Sequence, residues 1–346
     1  MSKPVFIIAE AGVNHNGSTG LALQLVDVAA EAGADAVKFQ TFKAETLVRA
    51  GAEKAEYQKK QTGDGDQFSM LKALELSEEA HRQVAARCRE KGILFMSTPF
   101  DLEAADFLLG LGMTVVKVPS GELTNHPFLA ELARRNRPLI LSTGMGSLDE
   151  IREAMAVIDR TREVSGLGAR PEGFLTVLHC TSNYPALPGD VNLMAMNTIG
   201  RELGVPVGYS DHTNGITIAI AATALGARVI EKHFTLDRDL PGPDHAASLE
   251  PDELAAMVRA IRDVEQALGD GVKAPRPSEL PVRALVRRSL TLARPVTAGS
   301  LLTGDDLVLL RPGTGIPPKH LDAVAGQRRA ARDLPAGHTL TWDDLA

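Results

Sequence analysis

Two cysteines, Cys88 and Cys180, stand in a chain of 346 residues. That is too few for a disulfide framework and points to a reducing compartment. No stretch approaches about 18 consecutive uncharged apolar residues, so no spanning helix is expected. The Ala-rich "AIAATALGA" reads as a short helix instead. The opening run "MSKPVFIIAEAGVNHNG" has too short an apolar core for a signal peptide and reads as a strand entering the fold. "AEAGVNHNGS" has neither the glycine spacing of a dinucleotide loop nor the lysine of a P-loop. Excess positive charge is also missing: 37 Lys and Arg face 44 Asp and Glu, for a net charge of -7. That balance weighs against nucleic acid as a partner. A cytoplasmic protein with neither a membrane nor a nucleic-acid partner is expected.

What the chain does have is a repeating rhythm. Short apolar runs recur at 5–10, 36–40, 93–98, 115–120, 138–143, 175–180, 205–210 and 228–233. Between them lie helical patterns, at 20–32, 77–91, 101–110, 125–135, 147–158, 191–203 and 214–225, with another at 251–267. Glycine closes several of these helices, as in "EAGAD", "EKGI", "ELGVP" and "ALGAR". Eight strands in βα alternation predict a closed (β/α)8 barrel, with an open doubly wound sheet as the second choice. The stretch 43–76 is a long, charged insertion after the second strand, on the side where barrels carry lids. "GDGVKAPRPSELPVR" breaks the helical period. Three parts follow: a TIM barrel at 1–268, a Pro-rich linker at 269–283, and a small β-rich domain at 284–346.

In such a barrel the strand C-termini build the site. Here they carry Glu10, Lys38 with Gln40, Ser97, Lys117 with Ser120 and Glu122, Ser142, His179, Ser210 with His212, and Glu231 with His233. Lys38 and Lys117 lie inside apolar runs, where an ammonium is costly unless paired. They face either an anionic ligand, phosphate or carboxylate, or a carboxylate that ties strand to strand. Ser120, Ser142 and Ser210 would add hydroxyl donors, although any one of them could equally be a helix cap. His212 and His233 end neighbouring strands about 4.8 Å apart, so their rings can meet. They suit a divalent metal with water-rich coordination; the alternatives are hydrogen-bonded loop histidines or acid–base residues without metal. Glu10 is a candidate base. Asp211 and Asp244 could accept from sugar hydroxyls. His179 either lines the mouth or packs below it.

The runs "IIAEAGVNHNG", "AVKFQTFKAETL", "VKVPSGELTN", "LHCTSNYPA", "GYSDHT", "VIEKHFTLDR" and "RPGTGI" resemble the bacterial sialic acid synthases, a family that includes the legionaminic and pseudaminic acid synthases. The C-terminal part resembles their antifreeze-like, or SAF, domain. The resemblance implies condensation of phosphoenolpyruvate with an N-acetylated amino sugar and water, yielding a nine-carbon 2-keto acid and phosphate. Its first reading is N-acetylneuraminate synthase acting on N-acetylmannosamine. The alternative is legionaminic acid synthase acting on 2,4-diacetamido-2,4,6-trideoxymannose, with pseudaminic acid synthase behind both. It further implies a divalent metal on His212 and His233, Mn2+ by preference with Mg2+ or Co2+ possible, and Glu10 beside it. Lys38, Lys117, Ser120, Ser142 and Ser210 would grip phosphoenolpyruvate, with Gln40 at the same mouth. Glu122 would contact a reacting hydroxyl. Asn183, Tyr184 and Asp244 would hold the sugar. Arg311 would reach the N-acetyl group in the partner's barrel of a domain-swapped homodimer.

Two other classes compete. Synthases that add phosphoenolpyruvate to phosphorylated sugars need a second phosphate site, and the strand ends here are poor in arginine. A carbohydrate- or ice-binding protein would have no use for two lysines, two histidines and a glutamate at one mouth.

Overall fold

The computed structural model describes residues 4–346. Eight parallel strands form the first unit: β1 (Phe6–Gly12), β2 (Ala36–Thr41), β3 (Leu94–Pro99), β4 (Val116–Val118), β5 (Leu139–Ser142), β6 (Leu175–Cys180), β7 (Val207–Asp211) and β8 (Val229–His233). β1 pairs with both β2 and β8, and the hydrogen-bonded order β3-β2-β1-β8-β7-β6-β5-β4 makes a ring that lacks a ladder only between β3 and β4. This is the expected (β/α)8 barrel.

The crossover helices arise where the sequence placed them, and their ends show why. Ser77 accepts from the Ala80 amide to open the helix Glu78–Lys91, which stops at Gly92 in a left-handed conformation (φ 72°). Ser147 and Glu150 form a reciprocal capping box on Leu148–Val164. The buried faces of these helices pack on the outward side chains of the strands, such as Ile7, Val37, Val116, Leu141 and Ile230, and this shell is the largest hydrophobic core. The insertion 43–76 folds into three short helices, Ala44–Leu47, Glu56–Thr62 and Gln67–Ala73. Among the described residues no helix is long and apolar enough to cross a membrane.

The chain divides between Asp270 and Gly271. The stretch read as a linker, 269–283, contains a 3-10 turn at Pro277–Glu279 and the start of the helix Leu280–Val286. The second unit is built on the antiparallel pair β9 (Ser289–Leu292) and β10 (Leu307–Leu310). Its own small core holds Leu290, Leu292, Leu302, Ile316, Val324, Leu334 and Leu340.

Candidate active site

Strand side chains alternate, so residues two apart share a face. Inside the barrel, Ile8, Ala36, Met96, Ile140, Leu178 and Val229 form one apolar layer over Phe6, Leu94 and Val115. That layer closes the barrel below. Two residues further toward the C-terminal mouth, the same faces carry Glu10, Lys38, Thr98, Ser142, Cys180 and Glu231, and all of these line one cavity. Lys117 and Ser210 join them. The site is therefore one step of the strand period above a hydrophobic plug.

The same alternation removes three residues from the mouth. Ser97, His179 and Asp211 are out of phase with the cavity-lining set and face the helical layer. Ser97 bonds Thr41 at 2.7 Å, and His179 Nε2 lies 2.7 Å from the Val191 carbonyl. Asp211, read as a sugar acceptor, is instead fully buried and paired with Lys232 at 2.9 Å. Its other oxygen accepts from the amide and hydroxyl of Thr213.

The polar layer is a chain of shared charges. Lys38 Nζ is 2.6 Å from Glu10 and 3.6 Å from Glu231, and it donates to Thr98 at 2.9 Å. Lys117 Nζ is 3.5 Å from the other Glu231 oxygen, which also accepts from Ser210 at 2.8 Å. Gln40 donates to Glu10 at 3.2 Å. Burial pushes Glu10 up to about 7 despite the Lys38 ammonium. Burial would raise Glu231 too, but Lys117 and Lys38 together outweigh it and bring this carboxyl down to about 2. Burial lowers Lys117, which has only a share of one carboxylate. The Ser142 hydroxyl is buried without a hydrogen-bond partner. Beside it, Ser120 accepts from the Gly144 amide at 2.9 Å. Two ammonium groups and an unpartnered hydroxyl make a cradle for an anion.

The histidines meet as their strand ends require, with ring centroids 5.6 Å apart. His212 Nδ1 bonds the Thr181 carbonyl at 2.7 Å, which leaves its Nε2 as the acceptor, 3.4 Å from the Ser210 hydroxyl. His233 Nδ1 is buried without a hydrogen-bond partner. Burial lowers both rings' proton affinity, His233's well below its ordinary value, so both are held in the neutral, metal-ligating form. Two such imidazoles fit a divalent ion. Among the described residues no group of three or more His, Cys, Asp or Glu side chains is arranged to hold one, so water and substrate oxygens would fill the remaining positions. Asp244 lies 4.0 Å from His233, and burial pushes it up to about 6. The Tyr184 ring stacks on His212 at 4.1 Å and meets Tyr57 of the insertion at 5.2 Å.

The cavity measures about 510 Å³, within the range of small-molecule sites. It gathers Glu10, Lys38, Gln40, Lys117, Ser120, Ser142, Tyr184, Ser210, His212, His233 and Asp244. Two proposed residues are not brought to it. Asn183 is exposed and accepts from the Tyr184 amide, while its neighbour Ser182 lines the cavity. Glu122 accepts from Asn125 Nδ2 at 2.5 Å, outside the lining. Arg311 belongs to the second unit, where it is exposed just after β10. Sequence reasoning had placed Glu231 at the mouth without giving it a role. Its position two residues before His233, on one strand face, was the available signal. Tyr57 carried no signal, because nothing local in the insertion says which side chain turns inward.

Residues 25–273 match the NeuB family and residues 287–346 the SAF domain. The chain is 53% identical over 345 residues to an N,N'-diacetyllegionaminic acid synthase of Legionella pneumophila, covering 99% of this chain and 95% of that protein. It is 46% identical over 326 residues to the enzyme of that name from Campylobacter jejuni, covering 94% and 96%. The crystal structure of the N-acetylneuraminic acid synthetase of Leptospira borgpetersenii in complex with citrate aligns with a TM-score of 0.71 at 35% identity, over 81% of this chain and 90% of that one. This chain therefore belongs to the NeuB family, as a phosphoenolpyruvate-dependent, C–C bond-forming enzyme that acts on an amino sugar to give a nonulosonic acid and carries a C-terminal SAF domain.

Proposed function

We propose that this enzyme condenses phosphoenolpyruvate with 2,4-diacetamido-2,4,6-trideoxymannose and water, giving N,N'-diacetyllegionaminic acid and phosphate. The observation that carries this reading is the ordering of the relatives: 53% and 46% identity to two legionaminic acid synthases, against 35% to a sialic acid synthetase. It displaces N-acetylneuraminate synthesis, the first expectation from sequence.

The polar layer supports a division of labour. Lys38, Lys117, Ser120, Ser142 and Ser210 hold the carboxylate and phosphate of phosphoenolpyruvate. Its C3 then faces the aldehyde carbon, and the new C–C bond forms between them. Water adds at C2, the proton it loses passes through Glu10 to the alkoxide left on the former aldehyde carbon, and the tetrahedral adduct breaks its C2–O bond to phosphate as the C2 hydroxyl becomes the ketone, its proton leaving with the phosphate. Glu10, poised near neutrality by burial, takes the proton that the water loses. Gln40 and Lys38 hold that carboxylate in place. Tyr184 and Asp244 hold the sugar chain. NeuB-family enzymes generally use a divalent metal, and an ion on His212 and His233, Mn2+ in our reading, would supply Lewis-acid polarisation of the sugar carbonyl.

The same proposal covers assembly. The helix Leu280–Val286 exposes Val282, Leu285 and Val286 on one face, which suits burial in a homodimer. Arg311 would then serve the site of a second copy. Both cysteines are free, which fits the cytoplasm.

The test is phosphate release from phosphoenolpyruvate with each sugar, before and after chelation by EDTA and Mn2+ add-back. The diacetamido sugar should exceed N-acetylmannosamine in kcat/KM by at least about 10-fold. The reverse order would return the enzyme to N-acetylneuraminate synthesis, and full activity after chelation with no bound metal would remove the metal from His212 and His233.

A further inference from the structure

The hydrophobic clusters of the first unit serve two purposes. Two of them are the helix–strand shell and the plug inside the barrel. The remaining one, with Val13, Phe42, Met70 and Leu74 buried and Leu47 and Leu71 packed against them, faces the cavity with every one of these side chains. Most of them come from the insertion and its edges. The insertion's apolar residues thus build a wall over the mouth instead of extending the core.

The wall has a defined place relative to the chemistry. Along the second strand and just beyond it, Lys38, Gln40 and Phe42 follow one another at two-residue steps and all line the cavity. At about 3.3 Å per residue, Phe42 lies roughly 7 Å further out than Gln40. Val13 joins the wall from the turn that follows the first strand. An open-chain sugar with its aldehyde carbon beside Glu10 and the histidines carries C6 at its far end. Three polar side chains, Tyr57, Gln58 and Gln67, stand at the rim of the wall, and of these Gln58 Oε1 accepts from the Ala55 amide at 3.0 Å and from Gln67 at 3.4 Å. A hydroxyl set against Val13, Phe42, Leu47, Met70, Leu71 and Leu74 loses water and meets no hydrogen-bonding group among them, whereas a methyl group is favoured there.

We propose that this wall is the subsite for C6 of the sugar and selects a 6-deoxy acceptor, with Met70, Leu71, Leu74 and Leu47 as the specificity-determining side chains. The inference rests on the reading that an acetamido-hexose is the acceptor, and goes beyond it by assigning the selection to the insertion.

The test uses the full-length enzyme and two sugars that differ only at C6: 2,4-diacetamido-2,4,6-trideoxymannose and 2,4-diacetamido-2,4-dideoxymannose. Phosphate release should favour the 6-deoxy sugar by on the order of 10- to 100-fold in kcat/KM. The half-buried Leu71→Asn and Leu47→Asn, each confirmed folded by circular dichroism, should reduce that preference to within about 3-fold, while the KM for phosphoenolpyruvate stays put. Equal kcat/KM for both sugars in the wild type, or an undiminished preference in both variants, would overturn the assignment while leaving the acetamido-hexose reading intact. Turnover of neither sugar would overturn that reading and the assignment with it.

Discussion

The two units bury charge in opposite ways. In the C-terminal unit each buried carboxylate is saturated by its neighbours. Asp306 accepts from the amide and hydroxyl of Thr303 and from Arg294. Asp344 accepts from the amide and hydroxyl of Thr341, from Arg332 and from His338. The same Thr-x-x-Asp turn is used twice, and nothing is left over for a ligand. At the barrel mouth Glu231 is divided between two ammonium groups at 3.5 and 3.6 Å, and Ser142 Oγ and His233 Nδ1 have no hydrogen-bond partner. Saturated buried charge holds a fold together. Charge left short of partners is held ready for something that arrives.

The contrast is broken most directly at Lys117. Lys117→Met should cut phosphate release about 100- to 1,000-fold. The urea midpoint should hold or rise, because burial already disfavours this ammonium and Glu231 keeps Lys38 and Ser210. A variant that loses stability along with activity would show that the mouth is bound together like the other unit.

Within the barrel, the pair Asp211–Lys232 is the saturated kind, closed off from the mouth and set side by side in the β7–β8 register. It stands directly behind the two histidines in sequence. Lys232→Met should cost about 3–5 kcal/mol in urea unfolding, since Asp211 is left buried without its cation. Adding Asp211→Leu should recover most of that loss. A single variant as stable as the wild type would contradict the pair's structural role.

The smallest effect lies in the C-terminal unit, where Trp342, the only tryptophan in the chain, reports local unfolding by its fluorescence. Asp344→Asn should cost about 2–3 kcal/mol, as charge-assisted bonds weaken. Acid should act on the same groups. Hydrogen bonds from Thr303 bring Asp306 down to about 2. Burial works against Asp344, yet Arg332 and His338 hold it well below the usual range. The unfolded chain therefore binds protons first. The stability these carboxylates contribute is complete above the ordinary aspartate value near 3.8 and drains as pH falls toward 2. A Trp342 midpoint that does not move between pH 5 and pH 3 would refute it.

Much of the site could be read along the chain because strand chemistry is periodic. Glu10, Lys38, Lys117, Ser142, Ser210, His212 and His233 all sit near strand C-termini, and a barrel collects those ends at one mouth. Where the reading failed, it failed by phase. Ser97 and Asp211 lie at strand ends too, but one residue out of register, and a one-residue offset turns a side chain to the other face; the same offset decides His179, which the sequence left between the mouth and the packing. Glu122 and Asn183 fall in the turns that follow strands, where no period tells direction.

The amino-acid order by itself determined the alternation of eight strands and their helices, the helix ends, the second domain and the kinds of side chain at the mouth, because each follows from local patterning and capping. Only the tertiary structure decided which strand-end residues turn inward, that Glu231 is shared by Lys38 and Lys117, and that the insertion's apolar residues face the cavity. Those are contacts between segments far apart in the chain, and their choice depends on barrel closure and burial, which no local stretch of sequence contains.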